Sequence, residues 1–185
     1  MTTEYRNKPR LPGDLLPEQL LDRVIRVDHA GEYGAKRIYE GQLAILGRKP
    51  EGAVIRHMLE QELVHLRAFE KLMAERRARP SVLFPVWHVA GFALGAATAL
   101  MGPKAAMACT VAVEEVIDEH YRQQQNALAA DEPEITAKIE QFRAEEVEHR
   151  DTGLAHGAAE APGYQLLSGA IKAGSRLAIW LAERV

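Results

Sequence analysis

Disulfide chemistry is missing from this chain, which has one cysteine, Cys109, in 185 residues. That excludes a cross-linked scaffold and a four-cysteine zinc or rubredoxin-type iron site, and it suits a reducing compartment. Excess positive charge is missing too: 23 Lys and Arg stand against 26 Asp and Glu, a net charge of −3. No basic arm or face therefore marks a nucleic-acid binder. No alternating or β-branched run bounded by turn residues reads as a strand, which leaves an all-α class. Residues 1–16 hold neither a secretory apolar segment nor an amphipathic transit helix, because Pro9, Pro12 and Gly13 interrupt the basic positions Arg6, Lys8 and Arg10. They read as a short flexible lead-in to one domain over 17–185.

Helix punctuation, by contrast, is plentiful, and 47% hydrophobic residues are enough for a real core. Pro17 opens a helix that ends at Gly47, Pro50 opens a second that stops before Pro80, and Pro103 after Gly102 opens a third. Asp131 and Pro133 begin a helix reaching about Ala158, and Pro162 starts a last one through Trp180.

Along the helix after Pro133, the inward stripe reads Ile139, Phe142, Glu146, His149, Gly153, His156, at steps of three and four. A carboxylate and an imidazole in such a stripe point into a core, where an uncompensated charge costs several kcal/mol. About one Glu-x-x-His pair is expected by chance among 20 glutamates and 7 histidines, and a satisfied core histidine would explain it. The second pair repeats the context: Ile55, Met58, Glu62, His65, Phe69, Leu72. Two further stripes each carry one inward carboxylate, Glu32 between Ile25 and Leu46 and Glu114 between Met107 and Leu128. Glu60, Glu115, Glu145 and Glu148 fall on polar faces.

Each inward group lies near its helix midpoint, so helices of roughly 25 residues, about 38 Å long, packed side by side bring all six to one level. Four carboxylates and two imidazoles buried together repel unless cations compensate them. The donor set is oxygen-rich with one nitrogen per metal, which suits iron or manganese, and its order is that of a ferritin-like four-helix bundle with a di-metal centre. The alternative is a polar network without metal. Asp28, Tyr39, Asp118 and Tyr121 stand one or two turns from a carboxylate and could bond a ligand.

From Pro80 to Pro103 there is no charged residue, and Val82 to Leu100 includes Phe84, Trp87, Phe92 and a Gly91-x-x-x-Gly95 spacing. A membrane span here would put Glu62 and His65 across the bilayer from Glu114, so the segment, about 81–102, is an apolar crossover helix, buried or lying on a membrane surface. Trp87 and Phe92 are the expected contacts, and a C-terminal helix bearing Trp180 follows the bundle.

The run from Arg26 to Ala35 around Glu32, the two Glu-x-x-His pairs, Val113-Glu114-Glu115 followed by His120-Tyr121, and the closing Ala178 to Arg184 resemble the demethoxyubiquinone hydroxylases of ubiquinone biosynthesis. The resemblance covers nearly the whole chain from Leu20. It implies a di-iron monooxygenase that hydroxylates the ring of a polyprenyl demethoxy-benzoquinol, with two Fe ions per chain held by Glu32, Glu62, His65, Glu114, Glu146 and His149. By analogy Glu62 and Glu146 bridge both ions, and His120 and Tyr121 lie by the metal as candidates in substrate or electron transfer. O2 is the co-substrate, and an external reductant such as NADH supplies two electrons. The absence of a transit peptide points to a bacterial protein or a trimmed chain, peripheral on the cytoplasmic face of the inner membrane. A lipid-binding or biosynthetic-complex partner and a homo-oligomer are compatible with the resemblance. A quinol oxidase sharing the ligands, a ferritin-like store or peroxidase, and a non-enzymatic lipid-binding scaffold remain as rivals.

Overall fold

Prolines supply the first residue of three long helices, where the missing N–H is not needed for the intrahelical ladder. The computed structural model describes residues 13, 15–128 and 132–185, and every regular element among them is helical. Most of the expected lead-in and Asp131 lie outside the described residues. In chain order the helices are α1 (Pro17–Leu46), α2 (Glu51–Arg76), α3 (Phe84–Leu100), α4 (Pro103–Leu128), α5 (Pro133–Ala155) and α6 (Tyr164–Ala182), with a 3-10 turn at Ala158–Glu160. The helix expected to reach about Ala158 thus stops at Ala155, and a left-handed Gly157 turns the chain toward α6.

Contacts across the bundle give the helix directions. Glu32 meets His65 and Tyr39 meets Met58, so α1 and α2 run antiparallel. Arg143 bonds Asp118 while Gly153 abuts Val111, which makes α4 and α5 antiparallel as well. These two hairpins form the four-helix bundle. α3 carries the chain from the end of α2 to the start of α4, lying parallel to α1: Tyr33 bonds His88, and Gly95 packs on Ile38. α6 lies parallel to α4, pairing Lys172 with Glu115 and Arg176 with Glu119. The second half of the chain therefore repeats the arrangement of the first, helix for helix.

The Gly91-x-x-x-Gly95 spacing serves this packing. A Cβ on Gly95 would lie 1.9 Å from the Ile38 carbonyl oxygen, and one on Gly41 would lie 2.2 Å from that of Phe92, so α1 and α3 touch backbone to backbone. Trp87 and Phe92 are half-buried, Trp87 against Val27 and Ala30 and Phe92 beneath the Arg37 guanidinium, 4.9 Å from its ring. The large apolar residues that α3 and its approach expose are Val82, Val86, Val89 and Leu100. No described helix is long and apolar enough to cross a membrane.

Two apolar plugs fill the bundle. One contains Leu46, Ile55, Met58, Met107 and Val111, and the other Ile25, Phe69, Leu128, Ile139 and Phe142. Between them lies a polar belt at the midpoints of α1, α2, α4 and α5.

Candidate metal centre

The apolar stripes of the four bundle helices fix which side chains enter the belt. Glu32, Glu62, His65, Glu114, Glu146 and His149 are all buried, none more than 4% exposed. Glu32, Glu62, His65 and Glu146 each place a donor atom within 4.8 Å of the others, and so do Glu62, Glu114, Glu146 and His149. The two sets share Glu62 and Glu146, one from each Glu-x-x-His pair. His65 points Nδ1 at Glu146 Oε1 (3.0 Å) and Glu32 Oε2 (3.4 Å); His149 points Nδ1 at Glu146 Oε2 (3.0 Å) and Glu62 Oε1 (3.3 Å).

Among these side chains the charges are unevenly reconciled. Burial pushes Glu62 and Glu114 well above the usual carboxylate range, and nearby carboxylates, Glu146 foremost, push them further. Burial also raises Glu32, against His65, which pulls it down. Burial would raise Glu146 as well, but hydrogen bonds from His149 and His65 outweigh it and hold that carboxyl at about 2. Burial disfavours the charged form of His65, yet Glu146 and Glu32 push the imidazole up to about 12. One carboxylate is thus matched by imidazolium, and the others are left short of positive charge.

Both oxygens of Glu62 and Oε2 of Glu32 are buried without a hydrogen-bond partner. Buried carboxylate oxygens left this way are costly in a native interior, and divalent cations between the two sets would complete them. Two such cations would also cancel four ionised carboxylates. Oxygen-rich sets with one imidazole each suit iron or manganese chemistry. The cluster fits a metal site.

Around it, the two tyrosines cross over. Tyr39 on α1 donates to Glu114 Oε1 on α4 at 3.0 Å, and Tyr121 on α4 donates to Glu32 Oε1 on α1. Asp28 and Asp118 bond none of the six. Asp28 Oδ1 accepts from Gln124 at 2.6 Å, and the same amide group lies 2.8 Å from His120 Nε2. Asp118 takes Arg143 at 2.7 Å, tying α4 to α5. His120 bonds no carboxylate of the cluster but, with Asp28, lines a pocket of about 20 Å³ walled by Glu32, Glu62, Glu114 and Glu146. That is room for about one water-sized molecule.

Glu145, placed by periodicity on a polar face, instead reaches across to α2: His65 Nε2 donates to its Oε2 at 2.8 Å. Gln61 does the same in reverse, accepting from His149 Nε2 at 2.9 Å. Each stands immediately before the glutamate of a Glu-x-x-His pair, a position that could have been flagged. Glu115 faces away, paired with Lys172 on α6.

A cavity of about 330 Å³ adjoins the small pocket between α1, α3, α4 and α6, and the two share Val27, Gly31, Ala35, Ile117 and Ile179 as walls. Its lining is almost wholly apolar and includes exposed Ala90 and Gly174, so it reaches the surface between α3 and α6.

Residues 19–182 match the family model described as ubiquinone biosynthesis protein COQ7. The chain is 63% identical over 177 residues to a protein of Rhodospirillum rubrum named 3-demethoxyubiquinol 3-hydroxylase, covering 95% of this chain and 84% of that one. It is 53% identical over 176 residues to the human mitochondrial NADPH-dependent 3-demethoxyubiquinone 3-hydroxylase, covering 93% and 81% respectively. A Saccharomyces cerevisiae relative, named mitochondrial 5-demethoxyubiquinone hydroxylase, is 44% identical over 182 residues, covering 89% and 78%. With the family model spanning nearly all of α1 through α6, and with relatives of this identity over most of their length, the chain belongs to the COQ7 family of ubiquinone biosynthesis proteins.

Proposed function

We propose that this chain is a di-iron monooxygenase that hydroxylates the ring of a polyprenyl demethoxy-benzoquinol in ubiquinone biosynthesis. The observation that carries this reading is the meeting of the carboxylate-imidazole cluster with an apolar cavity through five common wall residues. The hydroxylase names of the relatives at 44–63% identity supply the substrate class.

Glu32, Glu62, His65 and Glu146 would hold one iron, and Glu62, Glu114, Glu146 and His149 the other. Bound there, the two ions supply O2 binding and its reduction. The reaction balances as a ring C–H plus O2, two electrons and two protons giving a ring C–OH and water. Within this scheme, Ile117 and Ile179 press the substrate ring toward the glutamates and keep bulk water out. The isoprenoid tail runs outward between α3 and α6. Tyr121, bonded to Glu32 beside the small pocket, fixes that carboxylate and stands where it can position the ring or pass an electron. His120 shares the pocket wall.

The electrons come from outside the chain, and the NADPH-dependence in the human relative's name favours a reduced nicotinamide nucleotide. The same reading puts the protein on a membrane surface, the cytoplasmic face of a bacterial inner membrane, with the apolar outer residues of α3 and Leu177 and Trp180 of α6 toward the lipid.

Labelled O2 tests the proposal. Reduced protein given a prenylated, ring-unsubstituted quinol should consume O2 far faster than without it, and the quinone recovered should carry one labelled oxygen on the ring. Full oxygen consumption with no ring label would overturn the hydroxylase reading in favour of a quinol oxidase.

A further inference from the structure

The residue just before each shared glutamate is the outer partner of the opposite helix's histidine. On α5, Glu145 precedes Glu146 and accepts from His65 of α2; on α2, Gln61 precedes Glu62 and accepts from His149 of α5. The exchange is reciprocal in geometry and unequal in chemistry. One acceptor is a carboxylate and the other a neutral amide. The carboxylate is held in place from its far side, where Gln141 donates to Glu145 Oε1 at 3.1 Å.

Closer to the cluster the donor types are matched, although His65 Nδ1 faces its own set's Glu32 beside Glu146 whereas His149 Nδ1 faces the shared Glu62. Each set contains both shared glutamates, one glutamate of its own and one histidine presenting Nδ1. Each unshared glutamate accepts from one tyrosine, Glu32 from Tyr121 and Glu114 from Tyr39. The acceptor behind the imidazole is where the two sets differ in charge. A hydrogen bond to an ionised acceptor is roughly twice as strong as one between neutral groups. It draws the Nε2 proton outward, leaves more electron density on the opposite ring nitrogen, and makes that nitrogen the better donor to a cation. Glu145 also brings a negative charge that Gln61 does not, screened in part because its side chain is 28% exposed.

We propose that Glu145 and Gln61 are positioning residues that make the two metal positions unequal, so that the position of Glu32 and His65 binds a divalent cation more tightly than that of Glu114 and His149. The inference rests on the two-metal reading above. It concerns affinity rather than turnover, so it can be tested without substrate or O2.

The experiment titrates metal-free protein with Co2+ alone, followed by visible absorption and by heat. The unaltered chain should fill in two resolved steps. Glu145→Gln should weaken the tighter step by about tenfold or more, the usual scale for an outer partner of a metal-bound histidine, and leave the weaker step in place. Gln61→Glu removes no contact and adds a carboxylate, so it should tighten the weaker step. Gln61→Glu with no effect on that step would overturn the inference. So would equal weakening of both steps by Glu145→Gln, the result expected if that residue only braces the fold. Two equal steps in the unaltered chain overturn the inference alone, whereas a chain that takes up no Co2+ overturns the two-metal reading and the inference with it.

Discussion

The Tyr39 hydroxyl of α1 donates to Glu114 of α4 at 3.0 Å, although Glu114 is 75 residues away and the nearer carboxylate in sequence is Glu32. Tyr121 returns the contact from α4 to Glu32. Both tyrosines are buried, and burial with the adjoining carboxylates raises them well above their ordinary range, so each remains a neutral donor. Removing either hydroxyl leaves a buried carboxylate oxygen without its partner. Tyr39→Phe and Tyr121→Phe should each cost about 1–3 kcal/mol in the metal-free protein, read by thermal unfolding. Metal content should stay at the unaltered level in both, and Tyr121→Phe should also slow turnover, since Tyr121 alone of the two lines the small pocket.

Substitutions at the cluster should divide by set membership. Glu62→Ala and Glu146→Ala remove a residue common to both sets and should lose both metals. Glu32→Ala and Glu114→Ala touch one set each and should retain about half. Elemental analysis of purified variants decides this, and full metal in Glu146→Ala would sink the assignment. Glu115 should not substitute for Glu114, because it is engaged with Lys172 on the far side of α4.

Acid and base should act oppositely on metal-free and loaded protein. Glu32, Glu62 and Glu114 have folded-state pKa values raised above the unfolded value. Their contribution is therefore fully present below the ordinary carboxylate range and is lost as pH rises toward their folded values. His65 and His149, also raised, act in the same direction above the ordinary histidine range. Glu146, held at about 2, contributes stability lost only as pH falls toward that value. Metal-free protein should thus melt at lower temperature at pH 8 than at pH 5. Loaded protein should lose metal on acidification, as protons compete for the same oxygens and nitrogens. Melting curves of both forms across pH check the sign.

At the surface, the triple change Val82→Ser, Val86→Ser and Val89→Ser should weaken sedimentation with liposomes while metal content stays the same. Full burial of each side chain in lipid would contribute about 1.5 kcal/mol or more. Trp87→Ser should act differently, disturbing the cavity wall that its ring forms. A triple variant that sediments like the unaltered chain would place the membrane contact elsewhere.

The bundle and the six inward groups were legible because an apolar stripe with a period of 3.6 makes its polar interruptions visible, as at Glu62 and His65. Glu145 was not legible by that means. Periodicity assigns a residue to a face of its own helix, and Glu145 lies about 100° around from Glu146; a long side chain then spans the gap to α2, which no single-helix pattern registers. Tyr39 does bond a carboxylate of the cluster, but that carboxylate is Glu114 on another helix and not Glu32 on its own. Asp28 and Asp118 stand one turn from a carboxylate of their own helix but bond Gln124 and Arg143 instead, side chains whose reach depends on packing. For Trp87 and Phe92, apolarity suggested contact with a membrane surface but could not give their degree of cover: the glycines of α3 draw that helix so close to α1 that both rings are half-covered, and Val82, Val86 and Val89 are more exposed.

That backbone contact also works as a gauge. With Gly95 seated on the Ile38 carbonyl and Gly41 on that of Phe92, no side chain separates α3 from the helix bearing Glu32 at these points. The distance from the valine face to the carboxylates is then set by backbone contact at the glycines rather than by side-chain size. A hydrophobic molecule entering between α3 and α6 would be measured against that length, and Gly95→Ala should change the reach at which its polar head meets the cluster before it changes anything within the cluster itself.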